Sequence, residues 1–143
     1  GGEPIEIAPG LRPRESVDGA WLLYAKADAD GLWRRPRRAW QETVAGAEEL
    51  LVEHLAPQDV MNWAPGRHGV YFIRRPADGP PVLSFLDDAR GATTDVFTLT
   101  PAFEGWGLDL SPDEKELVIA ELLMQESDLR VAVPRSTASP QAD

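Results

Sequence analysis

The chain has 143 residues, 43% of them apolar and five of them Trp, which suffices for one domain with its own core and counts against disorder. A formal net charge of −10 and a pI near 4.6 count against nucleic acid as a partner, because such a surface repels phosphate backbones. Cysteine is absent, which rules out disulfides and a thiol nucleophile, and no run of about 18 apolar residues offers a membrane-spanning helix.

With 13 Pro and 12 Gly, the composition suits short strands joined by turns. The chain starts GGEPIEIAPG, without Met and without a signal-peptide pattern, and is read as a piece of something longer. Its compartment therefore stays unassigned. Residues 3–8, containing PIEIA, are expected to form an outer strand. Ser16-Val17-Asp18-Gly19 is a turn signal, AWLLYAKA a strand, DADG at Asp28–Gly31 a second turn, and LWRRP the returning strand. The basic run Arg34, Arg35, Arg37 and Arg38 is expected to be a solvated stretch beside a strand end. Arg37–Ala47 has no counterpart elsewhere, and with ELLVEHL (Glu49–Leu55) it reads as a fourth strand or a short amphipathic helix. QDVMNW (Gln58–Trp63) is expected to be a strand, followed by a turn at Ala64–Arg67, the strand GVYFIRRP, and a returning strand in PVLSFLD. TTDVFTLT (Thr93–Thr100) and GWGLDL (Gly105–Leu110) are two further strands.

Ser111-Pro112-Asp113-Glu114 is locally ambiguous. Ser as N-cap, Pro at the first helical position and Glu three residues after Ser match a helix start. Repetition decides against it. Ser16, Ala64 and Ser111 fall about 47 residues apart, the size of one propeller blade. Leu22, Val70 and Leu117 then align without a gap, as do Tyr24, Phe72 and Ile119. Leu32, Leu83 and Leu129 coincide after the next loop. Pro presets φ in the turn, while Ser and Asp oxygens accept backbone N–H groups across it. Leu117–Leu123 is therefore expected to be a strand. Ser16, Asp18, Ser111, Pro112 and Asp113 are assigned to turn structure.

The expected fold is all-β: about three consecutive four-stranded antiparallel blades, a partial β-propeller. The blades span about 11–55, 58–100 and 105–133, and 134–143 is expected to be a disordered Pro/Ser/Ala-rich tail. Three blades do not readily close a ring. Either further blades belong to a longer chain, or two copies form a six-bladed homodimer in which residues 3–8 complete the partner's last blade.

WGLDLSPDEKELVIAELLMQESDLRVAV resembles the terminal repeat of TolB-like, WD40-like bacterial β-propellers, with their Ser-Pro-Asp-Gly turn and Ser-Asp-Leu loop. PRESVDGAWLLYAKADADGLWRRP and NWAPGRHGVYFIRRP resemble internal repeats. The resemblance covers residues 2–133. Val17 stands where the repeat has Pro, Glu114 where it has Gly, and the middle turn lacks the Asp. The resemblance implies a non-catalytic module for protein or ligand interaction, the sensory or scaffold part of a larger bacterial signalling protein beside a winged-helix or kinase domain. The alternative it carries is the accessory propeller of an enzyme, such as a prolyl-oligopeptidase-type serine peptidase or a protein kinase.

Catalytic chemistry is not evident. The two histidines, His54 and His68, read as a partly buried strand residue and a turn residue, and no G-x-S-x-G elbow accompanies them. Asp28-Ala29-Asp30-Gly31 lacks the later ligands of a calcium loop, so neither a metal nor a cofactor is expected. Glu48-Glu49 and Asp87-Asp88 read as solvated loop or edge charges. Trp21, Trp33 and Trp106 are expected between blades, and Trp63 on an innermost strand facing the channel. Arg14, Asn62 and Asp109 align as polar residues at one register of the innermost strands. With Trp63 they are the candidate ligand contacts, against the simpler reading of buried polar groups bonded between blades.

Overall fold

The computed structural model describes residues 8–39 and 48–122, with Glu3 and Glu6. The expected strand within residues 3–8, most of the Arg37–Ala47 stretch, Leu129, the strand ending at Val133 and the tail lie outside the described residues.

Among the described residues, ten strands form three antiparallel sheets. The first comprises β1 (Leu11–Glu15), β2 (Trp21–Ala25), β3 (Leu32–Pro36) and β4 (Glu49–Val52), in that spatial order. The second comprises β5 (Trp63–Gly66), β6 (Gly69–Arg74), β7 (Val82–Asp87) and β8 (Ala92–Thr98), again in chain order. The third pairs β9 (Gly105–Leu110) with β10 (Leu117–Glu121). The fold is all-β, as expected, and no α-helix occurs among the described residues.

The ambiguous Ser111 segment is a hairpin. β10 pairs with β9, Leu117 opposite Leu110 and Ile119 opposite Leu108, so the helical reading of this stretch fails against ladder bonding and burial. The strand is five residues long and ends at Glu121, short of the expected Leu123.

Period-2 alternation explains how the sheets stack. On one face of the second sheet, Trp63, Val70, Phe72 and Leu86 meet Leu23, Ala25, Leu32 and Val52 of the first. On the other face, Ala64, Ile73 and Leu83 meet Leu108, Leu110, Leu117 and Ile119 of the third, with Phe103 between them. The second sheet is thus buried on both faces, which is why VYFI reads as a continuous apolar run. Its last strand, β8, is exposed at every position.

The repeat register holds across the middle strands. Ala25 faces Leu32 and Ile73 faces Leu83, so the aligned leucines occupy equivalent places. It fails on the first strand of each sheet. Glu15 pairs with Leu22 and Leu110 with Leu117, but Pro65 pairs with Val70, a connection two residues shorter. Ala64 is consequently a strand residue opposite Tyr71 rather than part of a turn. It takes the register of Arg14, opposite Leu23, and of Asp109, opposite Val118. Asn62 lies two positions outside that register. The strand expected at Gln58–Trp63 is instead a 3-10 turn at Pro57–Asp59, with β5 beginning only at Trp63. Pro57 suits the first position of such a turn, and Asn62 N–H bonds back to the Asp59 carbonyl at 2.8 Å.

The two Ser-x-Asp turns share one hydrogen-bond network. Ser16 Oγ donates to Asp18 at 2.6 Å and accepts from Trp21 N–H at 3.0 Å, while Ala20 N–H donates to the same carboxylate at 3.0 Å. Ser111 Oγ donates to Asp113 at 2.7 Å and accepts from Glu116 N–H at 3.0 Å, with Lys115 N–H at 3.3 Å from the carboxylate. The fourth turn residue is left-handed in both: Gly19 at φ 67° and Glu114 at φ 57°. Side-chain hydrogen bonds hold both carboxyl groups below their usual range, from Ser16 and from Ser111 first.

Candidate functional site

The first strands of the first and third sheets, β1 and β9, bring two of the four sequence candidates together, Arg14 and Asp109. Arg14 donates two hydrogen bonds to Asp109, at 2.8 and 3.0 Å. Arg12, on the same strand, donates to the Leu108 carbonyl at 2.7 Å and lies 5.8 Å from the centre of the Trp63 ring. A bulge between Leu11 and Arg14 and a left-handed φ of 50° at Arg12 aim both guanidinium groups in this direction. Hydrogen bonding to Arg14 pulls Asp109 down to about 2, and the same bond raises Arg14. Burial, then the charge of Arg14, lowers Arg12, whose Nη1 is buried without a hydrogen-bond partner among the described residues.

Trp63 does not line an open channel. It is fully buried, and its indole N–H donates to the Val60 carbonyl at 2.9 Å. Asn62 is also fully buried and does a different job. Its Nδ2 donates to Asp59 at 2.9 Å and to the Gly105 carbonyl at 3.0 Å, and its Oδ1 accepts from Gly107 N–H at 2.9 Å. Asp59, with no exposed surface, receives Arg75 Nε at 2.5 Å and Nη2 at 3.2 Å, and Arg75 reaches on to the Phe103 carbonyl at 3.2 Å. For Asn62 the simpler reading holds: a buried polar group bonded between neighbouring sheets.

This network grips the backbone on both sides of Trp106. A Cβ on Gly105 would lie 2.4 Å from Phe103 and 2.8 Å from Asn62, so only glycine fits. Gly107 pairs with Ala120 and Gly105 with Glu121, which leaves Trp106 as the extra residue of a bulge. The expectation of Trp106 packed between sheets is overturned, since it is 67% exposed. Bulges re-aim side chains. Here the indole is turned to a cleft of about 650 Å3 whose walls include Pro57, Met61, Arg75, Pro101, Phe103 and Glu104. A second cleft of about 490 Å3, bordered by Leu11, Lys26, Asp30 and Leu55, shares Pro57 and Val60 with it. Both open at the ends of the sheets opposite the Ser-x-Asp turns, and both are ligand-sized.

Other charged residues form inter-strand ties. Arg34 pairs with Glu49 and, at 2.8 Å, with Asp88 in the turn that follows β7, while lying 4.3 Å from the Trp21 ring centre. Arg37 pairs with Glu15 at 3.5 Å. Glu48 accepts from Lys26 at 2.8 Å and from the buried Tyr24, whose hydroxyl pKa is raised, by burial first and by Glu48 second. Asp87 accepts from Ala89 and Arg90 N–H groups, both at 3.0 Å. These four carboxylates are therefore partnered rather than merely solvated. His54 is almost wholly exposed in a turn rather than partly buried in a strand, and His68 occupies the two-residue turn before β6, as expected. Asp28–Gly31 is the loop between β2 and β3. No group of three or more potential metal ligands occurs among the described residues.

The residues that shape the clefted end, Asp59, Arg75 and Trp106, were not among the sequence candidates. A signal existed: Asp59 and Asn62 stand three apart in an otherwise apolar stretch, and Gly-Trp-Gly isolates one large aromatic. No family model, curated protein or solved structure matches the chain. Fold and site together define its class as an all-β protein of stacked antiparallel sheets with ligand-sized clefts at one end.

Proposed function

We propose that the chain is a run of consecutive β-propeller blades of the TolB-like, WD40-like kind, acting as a non-catalytic interaction module within a larger bacterial signalling protein. Each four-stranded sheet runs through its strands in chain order and packs face to face on its successor, the arrangement of neighbouring blades. The paired Ser-x-Asp networks support a repeating unit. A rigid scaffold of this type presents loops of variable sequence, and affinity resides in those loops.

The observation that carries the functional reading is the 650 Å3 cleft, whose walls are tied by the buried Asp59–Arg75–Asn62 network. Such a site is preorganised for binding. Arg75, on its wall, is already engaged by Asp59. Affinity capture with the immobilised full chain tests the proposal. Stoichiometric retention of a protein or small molecule, reduced in Asp59→Ala, is the expected result. A chain that retains nothing, or that turns over what it retains, overturns the reading.

A further inference from the structure

Four of the five tryptophans lie within the described residues: Trp21, Trp33, Trp63 and Trp106. Three of them carry a cation over the ring. Arg34 lies 4.3 Å from the Trp21 centroid, Lys26 lies 3.9 Å from Trp33, and Arg12 lies 5.8 Å from Trp63. Such contacts are expected about once per 70–80 residues, so the chain uses this pairing well above its usual frequency. Trp106 is the exception. It is 67% exposed, and no described cation lies over it.

Its surroundings favour positive charge. Glu104 precedes the bulge and Glu121 pairs with Gly105 across it, both exposed. The guanidinium of Arg75, the one basic side chain among the described residues of the cleft, is occupied by Asp59 and the Phe103 carbonyl. The whole chain adds long-range attraction for cations through its charge of −10. Pro57, Val60, Met61, Pro101 and Phe103 supply apolar contact beside the indole.

We propose that Trp106 and the adjoining cleft bind an extended segment of a partner protein through a Lys or Arg side chain flanked by apolar residues. The cation stacks on the indole, its charge faces Glu104 and Glu121, and the flanking residues fill the apolar walls. The Asn62 clamp on Gly105 and Gly107 holds the ring in place before the partner arrives, which lowers the entropic cost of binding. This rests on the interaction-module reading and supplies its partner chemistry.

The probe is a capped pentapeptide, acetyl-Gly-Leu-Lys-Leu-Gly-amide, titrated into 15N-labelled full chain. Controls replace its Lys by norleucine or by Glu. The Trp106 indole signal is the one missing from Trp106→Ala, a variant expected to fold because the side chain is mostly exposed. The Lys peptide is expected to shift that signal saturably. The norleucine peptide should bind about three- to tenfold more weakly, the Glu peptide should not bind, and Glu104→Gln with Glu121→Gln should weaken the Lys peptide by a similar factor. Equal binding of the norleucine peptide, shifts confined to other residues, or no binding at all overturns the proposal. Two cations, Arg130 and Arg135, lie outside the described residues, and a change in the free protein's indole signal on Arg130→Ala or Arg135→Ala also overturns the proposal, by assigning the ring to the chain's own cation. Partner capture that survives Trp106→Ala undiminished defeats the cleft assignment and leaves the interaction-module reading standing, whereas absence of any capture defeats both.

Discussion

Arg14 of β1 and Asp109 of β9, 95 positions apart, share two parallel hydrogen bonds of 2.8 and 3.0 Å and so tie the first sheet to the third. Arg12 runs beside this pair to the Leu108 carbonyl, above the buried Trp63. The Asp109 carboxyl, ordinarily near 3.8, is held at about 2 chiefly by the Arg14 hydrogen bonds. Because the folded value is the lower one, the stabilisation is fully present above about 3.8 and is lost as pH falls from there towards 2. Asp109 is 62% exposed, so solvent screening limits the contribution to about 1 kcal/mol or less. Carboxyl NMR should show Asp109 titrating near its usual value in Arg14→Gln. An unmoved titration would dissociate the pair.

Removing Asp59 should be much more damaging than removing Asp109. Asp59 has no exposed surface and receives Arg75 and Asn62 together. Breaking a buried pair leaves an uncompensated cation, at a cost of about 3 kcal/mol. Asn62→Ala strands the Gly105 carbonyl and the Gly107 N–H and should cost about 2–4 kcal/mol. Urea denaturation of both variants checks this, and a loss below about 1 kcal/mol in either would contradict the network.

Glu114 carries a left-handed φ of 57° while its carboxylate accepts the Arg67 N–H at 2.8 Å. Two effects oppose one another when it is replaced. Glycine relieves the backbone strain and loses the hydrogen bond, whereas alanine keeps the strain and loses the bond. Glu114→Gly is therefore expected to be more stable than Glu114→Ala by about 1 kcal/mol. Chemical denaturation of the two variants measures the difference directly, and equal stabilities would remove the strain argument.

Gly69 opens β6 opposite Gly66 and Asp87. A Cβ there would fall 1.8 Å from the Leu86 carbonyl oxygen, a backbone atom that cannot turn aside. Gly69→Ala should cost about 3 kcal/mol or abolish folding, since β6 must move relative to β7. Gly91→Ala is the control for glycine in general: nothing lies within 4 Å of its Cβ position, and only its φ of 62° is unfavourable, so a cost of about 1 kcal/mol is expected. Similar thermal midpoints for the two variants would refute the close approach.

Much of the fold was legible in the residues because strand formation leaves local traces. Turn signals beside apolar runs placed β2, β3, β6 and β7, and the repeat placed the hairpin at Ser111 and carried Leu32 and Leu83 to equivalent positions. The helix signal at Ser111 was misleading because a capping box and a Ser-x-Asp turn use the same residue types. The candidate site was only half legible. Arg14 and Asp109 do meet. Asn62 was misplaced because a connection two residues shorter leaves no mark on hydrophobicity but shifts everything before it on the preceding strand.

What the amino-acid order determined alone is the sequence of short strands and tight turns, since each depends on neighbours within a few positions. Which sheet faces meet, that Asp59 is buried against Arg75, and that Trp106 points outward from a clamped bulge were decided only by tertiary structure. The physical reason is that burial and pairing of a polar or aromatic side chain depend on groups 16 to 96 positions away, as with Asp59 and Arg75 or Arg12 and Leu108, and local pattern carries no record of those distances.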